Sequence, residues 1–111
     1  MKATIKVKPL SVNQCWQGRR FKNRLYDDYE REVLYLLPKG KITWGSLVLT
    51  LKLGVSNRNS DIDNPIKPIL DILQKKYGFN DKQIVKLEVE KKLVKKGQEF
   101  FEFEIKKSIY I

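Results

Sequence analysis

The chain has no histidine and only one cysteine, Cys15. That excludes zinc fingers, histidine-based metal centres and Ser/His/Asp or Cys/His nucleophile machinery. A lone cysteine also forbids an intrachain disulfide, and a reducing cytoplasm fits such a chain. Long hydrophobic runs are missing too. The apolar stretches are short and broken by polar residues, so neither a signal peptide nor a transmembrane helix is expected. Acidic residues are scarce, with 13 Asp plus Glu against 23 Lys plus Arg and a formal net charge of +10. A catalytic site here has to be built from carboxylates, lysines, arginines and hydroxyls.

What is present bounds the answer from the other side. A length of 111 residues suits one domain, spanning 1–111, and 41% hydrophobic content can fill its core. The excess of positive charge points to a polyanionic partner, with nucleic acid first and an anionic membrane surface a distant second. No internal repeat, low-complexity tract or linker interrupts the chain.

Hydrophobic periodicity then orders the elements. Thr4 to Val7 reads as a first strand stopped by Pro9, and residues 11–24 read as a polar, basic loop. Tyr26, Tyr29, Val33 and Leu36 recur at helical spacing, which predicts an amphipathic helix over Asp27 to Leu37. Ile42 to Leu53 alternates, with Leu47, Leu49, Leu51 and Leu53 on one face of a strand. Ile66, Ile69, Leu70, Leu73 and Tyr77 form the stripe of a second helix, ended by Gly78. Val85, Leu87 and Val89 alternate with charged residues, as do Phe101, Phe103 and Ile105, and the "KKGQ" between them suggests a hairpin. The order is β-α-β-α-β-β, an α+β fold with two helices packed on a small mixed sheet.

Against the basic background, one window gathers aspartates. "SDIDNPIKPILDILQKKYGFNDKQI" carries Asp61, Asp63, Asp71 and Asp81. On a helical wheel Asp63, Lys67, Asp71 and Gln74 fall on one flank of the apolar stripe. Asp61 precedes the helix, and Asp81 follows it where the chain can turn back. Carboxylates held close raise one another's pKa. A divalent cation such as Mg²⁺ relieves that conflict, because it takes hard oxygen ligands and completes its shell with water and phosphate oxygens. Lys67 would add a positive charge that stabilises a developing phosphorane or assists the leaving group. Together these are the parts of a metal-dependent phosphodiester hydrolase. A plainer reading competes. Asp63, Lys67 and Asp71 can be surface ion pairs worth a few tenths of a kcal/mol. Asn64 and Pro65 read as an N-cap and first helical residue, with Asp61 and Asp63 favouring a helix N-terminus.

Outside this window, Arg19, Arg20, Lys22 and Arg24 crowd six residues with no acid among them, and a loop of this kind would clamp phosphates. Trp16 and Phe21 beside them can stack on a base or wedge at a junction, or simply cover the edge of the core. Lys75, Lys76, Lys82 and Lys86 flank the aspartates and can extend a positive track around the negative metal site, with Lys75 and Lys76 reaching DNA, although isolated surface lysines need no function. Lys91, Lys92, Lys95 and Lys96 surround the expected hairpin turn, where solubility explains them.

"DIDNPIKPILDIL" followed by "YGFNDKQIVKLEV" resembles the RusA family of Holliday junction resolvases, whose pattern is D-x-D-N-x-x-K, then D-[AI]-L, then G-[FW]…[DN]-D-x-x-V before a strand. The amino-terminal "KPLSVNQCWQGRRFKNRLYDDYEREV" is similar to RusA-like proteins of phages. The resemblance places Asp61, Asp63 and Asp81 at the family's metal-binding positions and Lys67 at its catalytic lysine, with Asp71 at a recurrent supporting aspartate. Asn80 stands where the family often carries a further acidic residue. What the resemblance implies is a Mg²⁺- or Mn²⁺-dependent endonuclease, working in the cytoplasm (the host's, if phage-encoded). It would act as a homodimer that resolves four-way DNA junctions by paired symmetric nicks, without a membrane partner. The alternatives from the residues are a non-catalytic nucleic-acid-binding module and a dimer-forming structural protein of a phage.

Overall fold

A computed structural model describes residues 1–10, 16–17, 21–22, 24–43 and 45–109. Strand β1 (Lys2–Ile5) is followed by two short strands, β2 (Trp16–Gln17) and β3 (Phe21–Lys22). Helix α1 (Arg24–Leu36), strand β4 (Leu47–Val55) and helix α2 (Ile66–Tyr77) come next. A single 3₁₀ turn (Asp81–Gln83) then leads into β5 (Ile84–Leu93) and β6 (Phe100–Lys107). The α+β layout of two helices on a four-stranded mixed sheet is as expected. Among the described residues, no helix is long and apolar enough to cross a membrane.

Sheet order is β1-β6-β4-β5, with β4 and β5 parallel and the other two pairings antiparallel. This overturns the expected hairpin. Both β5 and β6 pair with β4, one on each side. The "KKGQ" segment does turn, with Gly97 at φ +92° and the Gln98 N–H donating to the Lys95 carbonyl at 2.9 Å. The turn, however, carries the chain past the end of β4, where the Val94 N–H donates to the Val55 carbonyl at 2.8 Å. Burial explains the choice. Phe101, Phe103 and Ile105 of β6 are fully buried, whereas Val85, Leu87 and Leu93 of β5 remain exposed. The more apolar strand takes the centre and the charged one takes the edge, where Lys and Glu side chains also discourage edge-to-edge pairing.

The core follows the alternation of β4. Leu47, Leu49, Leu51 and Leu53 are completely buried, each worth about 1.5–3 kcal/mol. They pack in one cluster with Tyr26, Tyr29 and Val33 of α1 and Ile69, Ile72, Leu73 and Tyr77 of α2. Leu37, one residue past α1, is buried and Leu36 is not, so the stripe drifts by one position from the expected Tyr26-Tyr29-Val33-Leu36 series. The reverse sheet face is a lattice of charge, with Lys52 3.7 Å from Glu90 and Lys2 3.9 Å from Glu102.

Several expected boundaries shift. The first strand lies earlier than Thr4 to Val7, and the central one starts at Leu47 rather than Ile42. Ile42 is nevertheless buried and donates its N–H to the Tyr77 carbonyl at 2.9 Å, a bond to a helix end rather than to a strand. The loop expected over 11–24 contains the β2–β3 pair, with Trp16 opposite Lys22 and Gln17 opposite Phe21.

Candidate active site

Asp61 and Asp63 sit in the exposed segment that leaves the carboxyl end of β4, and Lys67 and Asp71 sit on α2, which that segment enters. The entry differs from the expected capping. Pro65, not Asn64, holds the N-cap position and makes no side-chain cap bond. Asn64 instead donates its Nδ2–H to Asp61 Oδ2 at 3.0 Å, and the Asp63 carbonyl accepts the Ile66 N–H at 3.1 Å. Pro68 is harmless in the first turn, because its missing N–H is one of those that lack a partner in any helix. It is buried against the core.

At the far end Gly78 takes the left-handed conformation (φ +76°) and its N–H donates to the Gln74 carbonyl at 2.9 Å, closing α2 as anticipated. The chain then folds back along the helix. Asn80 and Gln83 form a reciprocal capping box around the 3₁₀ turn. Gln74, on the same helix flank, accepts the Asp81 N–H through Oε1 at 2.8 Å and donates Nε2–H to the Leu70 carbonyl at 3.1 Å. Asp81 is therefore pinned to α2 by its backbone, leaving its carboxylate exposed.

Lys67 joins the pieces. Its Nζ lies 3.0 Å from Asp71 Oδ1 and 4.0 Å from Asp81 Oδ2. The fold thus brings Asp81 back to the flank occupied by Lys67 and Asp71. It does not bring Asp61, Asp63 and Asp81 into one ligating group, and no group of three His, Cys, Asp or Glu suited to a metal occurs among the described residues. Asp61 is held by Asn64 within its own segment, whereas Asp81 is tied to Gln74 and faces Lys67. The donors still suit Mg²⁺ in kind: exposed carboxylates and the amide oxygen of Asn64 are all hard oxygens. Mg²⁺ is ordinarily held by one or two carboxylates plus water and substrate phosphate, not by an all-protein cage.

The basic residues divide. Arg19 and Arg20 lie outside the described residues, and Trp16, Phe21 and Lys22 are described by their backbone alone. Arg24 opens α1 and is exposed. Lys75 is engaged within the protein, 2.7 Å from Glu30 Oε1 of α1, and the bond and charge of Glu30 hold its pKa above the ordinary lysine value. Lys76 donates to the Leu34 carbonyl at 3.3 Å. Both lysines tie α2 to α1. Cys15 and Trp44 lie outside the described residues.

A cleft of about 320 Å³ adjoins Asp61, lined by Lys8, Asn57, Asn59, Asn64 and Glu99 among others. Glu99 accepts the Ser56 hydroxyl at 2.7 Å, and that bond holds its carboxyl below the usual carboxylate range.

A family model described as endodeoxyribonuclease RusA matches residues 11–102, most of the chain and every candidate residue. The chain belongs to the RusA endodeoxyribonuclease family. Membership indicates an endodeoxyribonuclease and implies action on Holliday junctions and binding of branched DNA. RusA nucleases generally depend on a divalent metal. No curated protein matches the chain. Within this RusA domain, sequence reasoning missed Gln74 as the clamp on Asp81, Asn64 as the partner of Asp61, and Lys91. Lys91 donates to the Ser60 carbonyl at 2.7 Å. Gln74 was visible on the helix flank, but its bond to Asp81 depends on the return of the chain.

Proposed function

We propose that this chain is a divalent-metal-dependent endonuclease, with Mg²⁺ or Mn²⁺, that resolves four-way DNA junctions by paired symmetric nicks as a homodimer. The observation that carries the reading is Lys67. A cationic side chain reaches both Asp71 and Asp81 on the helix that Asp61 and Asp63 lead into, in a protein of net charge +10. Asp61, Asp63 and Asp81 are the carboxylates that would supply the ion's protein ligands, one or two at a time, with water and substrate phosphate completing its shell. When bound, such an ion supplies a nucleophilic water at neutral pH and neutralises charge on the phosphate.

The chain's own residues do the remainder. Lys67 carries a positive charge toward the phosphate, where added negative charge develops during attack. Asp71 holds that ammonium from within the helix, at the i, i+4 distance that favours an ion pair. Gln74 fixes the backbone of Asp81. Arg19, Arg20, Lys22 and Arg24 supply phosphate contacts that position the DNA, with Trp16 and Phe21 stacking on exposed bases; Lys75 and Lys76, expected to extend those contacts, are instead bonded to Glu30 and the Leu34 carbonyl and hold α2 to α1. A two-fold dimer offers two equivalent sites to a two-fold junction, which suits paired nicks.

The test is cleavage of a labelled four-way junction and a matched linear duplex, with Mg²⁺ or EDTA, by the wild type and by Asp63→Asn. Paired nicks confined to the junction and to Mg²⁺, lost in the variant while junction binding persists, are expected. Tight junction binding with no cutting under any divalent metal would replace the nuclease with a binding module.

A further inference from the structure

Strand β5 carries an anomaly in its alternation. The register sets Leu87 beside Leu49, Val89 beside Leu51, Lys91 beside Leu53 and Leu93 beside Val55. These are the helix-facing positions of β4, all buried. On β5 the same row therefore reads Leu, Val, Lys, Leu, with a charged side chain in an apolar series. A lysine on that row faces the helix side of the sheet, where the segment between β4 and α2 passes. Its ammonium donates to the Ser60 carbonyl at 2.7 Å and lies 3.4 Å from the Arg58 carbonyl. A leucine or valine at this position would pack against the segment but could satisfy neither oxygen.

The consequence falls on the next residue. Ser60 is bonded directly to Asp61, and among the described residues the segment 57–64 has few other ties. The Ser60 N–H donates to the Asn57 carbonyl at 3.0 Å, and Asn64 holds the Asp61 carboxylate at 3.0 Å, but both partners belong to the segment itself. Among the described residues, Lys91 ties the segment to the sheet. We propose that Lys91 is a positioning residue for the metal-binding aspartates: its ammonium fastens the Ser60 carbonyl to β5 and so sets where Asp61 presents its carboxylate. The role rests on the metal-dependent reading above, in which Asp61 holds the ion.

Charge alone makes the opposite forecast, which renders the role testable. A positive charge one peptide unit from a carboxylate opposes cation binding. Removing it would tighten the binding of a doubly charged ion by about sixfold at a separation of roughly 8 Å in water, before screening by salt. Fastening predicts the reverse sign, because a loosened Asp61 must be ordered when the ion binds. The experiment titrates Mn²⁺ into DNA-free wild type, Lys91→Met and Lys91→Arg, following free Mn²⁺ by electron paramagnetic resonance. Junction binding in EDTA is measured alongside.

Lys91→Met is expected to weaken Mn²⁺ binding about tenfold, and Lys91→Arg, which keeps a donor of similar reach, to stay within about threefold of wild type. Junction binding in EDTA should change by less than about twofold. Mn²⁺ binding that is unchanged or tighter in Lys91→Met overturns the proposal. So does a loss of junction affinity with Mn²⁺ binding intact, which would make Lys91 a phosphate contact. A wild type that takes up no Mn²⁺ would remove the metal reading itself and this role with it, whereas a binding wild type beside an unaltered Lys91→Met removes this role alone.

Discussion

Lys67→Met separates a functional cation from an ordinary surface charge, because the structure makes its contribution to stability small. Lys67 forms one close pair, with Asp71 at 3.0 Å, and one at the outer limit, with Asp81 at 4.0 Å. Its side chain is 59% exposed and that of Asp71 27%, so solvent screens both interactions. An exposed i, i+4 pair contributes about 0.3–0.5 kcal/mol, and the longer contact less. The methionine keeps most of the apolar stem and the helix propensity. The summed loss should stay below about 1 kcal/mol, a fall in Tm of no more than roughly 4 °C for a domain of this size. Junction cleavage, by contrast, should fall by about 10²–10³, the usual cost of removing one group aimed at developing transition-state charge. The assays are urea denaturation followed by tryptophan fluorescence, and single-turnover cleavage with enzyme in excess, so that binding differences drop out. A variant that cuts within about threefold of wild type would refute the reasoning and return Lys67 to the helix surface. A variant destabilised by 3 kcal/mol or more would refute the energetic half, since the ion pairs would then hold the fold.

Three further outcomes follow from the geometry. Gln74→Met removes the acceptor of the Asp81 N–H; with two bonds lost at about 0.5–1.5 kcal/mol each, a modest destabilisation is expected. Cleavage by bound enzyme should fall at least about tenfold as Asp81 shifts, and unchanged cleavage would show that the clamp is dispensable. Gly54→Ala places a methyl group against the Phe100 ring and should cost about 1–3 kcal/mol in urea denaturation; a Phe100→Leu background should recover most of it, and no recovery would locate the strain elsewhere. Burial pushes the Tyr77 hydroxyl up to about 12 from 10.0, so the unfolded chain ionises first. Its contribution to stability is therefore complete below pH 10 and lost between pH 10 and 12; Tyr77→Phe should flatten the alkaline fall relative to wild type, while giving up the bond to the Pro38 carbonyl at 2.7 Å.

Local pattern carried most of the elements. The leucines of β4 alternate without exception and are buried without exception, because one face of a strand meets one core. The stripe of α2 was legible for the same reason, although Ile72 is buried where Leu70 was expected to be. Partner choice between strands was not legible. The alternation of β6 says that one face is apolar, not which strand lies beside it, and a turn sequence fits a hairpin and a crossing over β4 equally well. In the site, the aspartates and Lys67 could be read from spacing and resemblance, whereas their supports could not. Gln74 meets Asp81, and Lys91 meets Ser60, across distances set by the tertiary fold. Lys91 did leave a trace: it breaks the row of Leu87, Val89 and Leu93, a polar residue where periodicity called for an apolar one. The role of Asn64 was misread because Asn before Pro fits an N-cap and a side-chain bond to Asp61 alike.

The position of β6 also governs the order in which the protein can assemble during synthesis. Among the described residues β1 pairs with β6 alone, Lys2 against Glu104 and Ile5 against Phe101, so β1 waits for a strand made after both helices, β4 and β5. Until then β4 has β5 on one side and no strand on the other among the described residues. Contacts spanning almost the whole chain are slow to form, because loop closure precedes any gain from pairing. The unit β4-α2-β5, which contains every candidate metal ligand together with Lys67, Gln74 and Lys91, emerges from the ribosome before the strand that completes its sheet. A growing chain can therefore hold the chemical groups of a nuclease while lacking the sheet that supports them, and β6 is the step that turns those groups into a site.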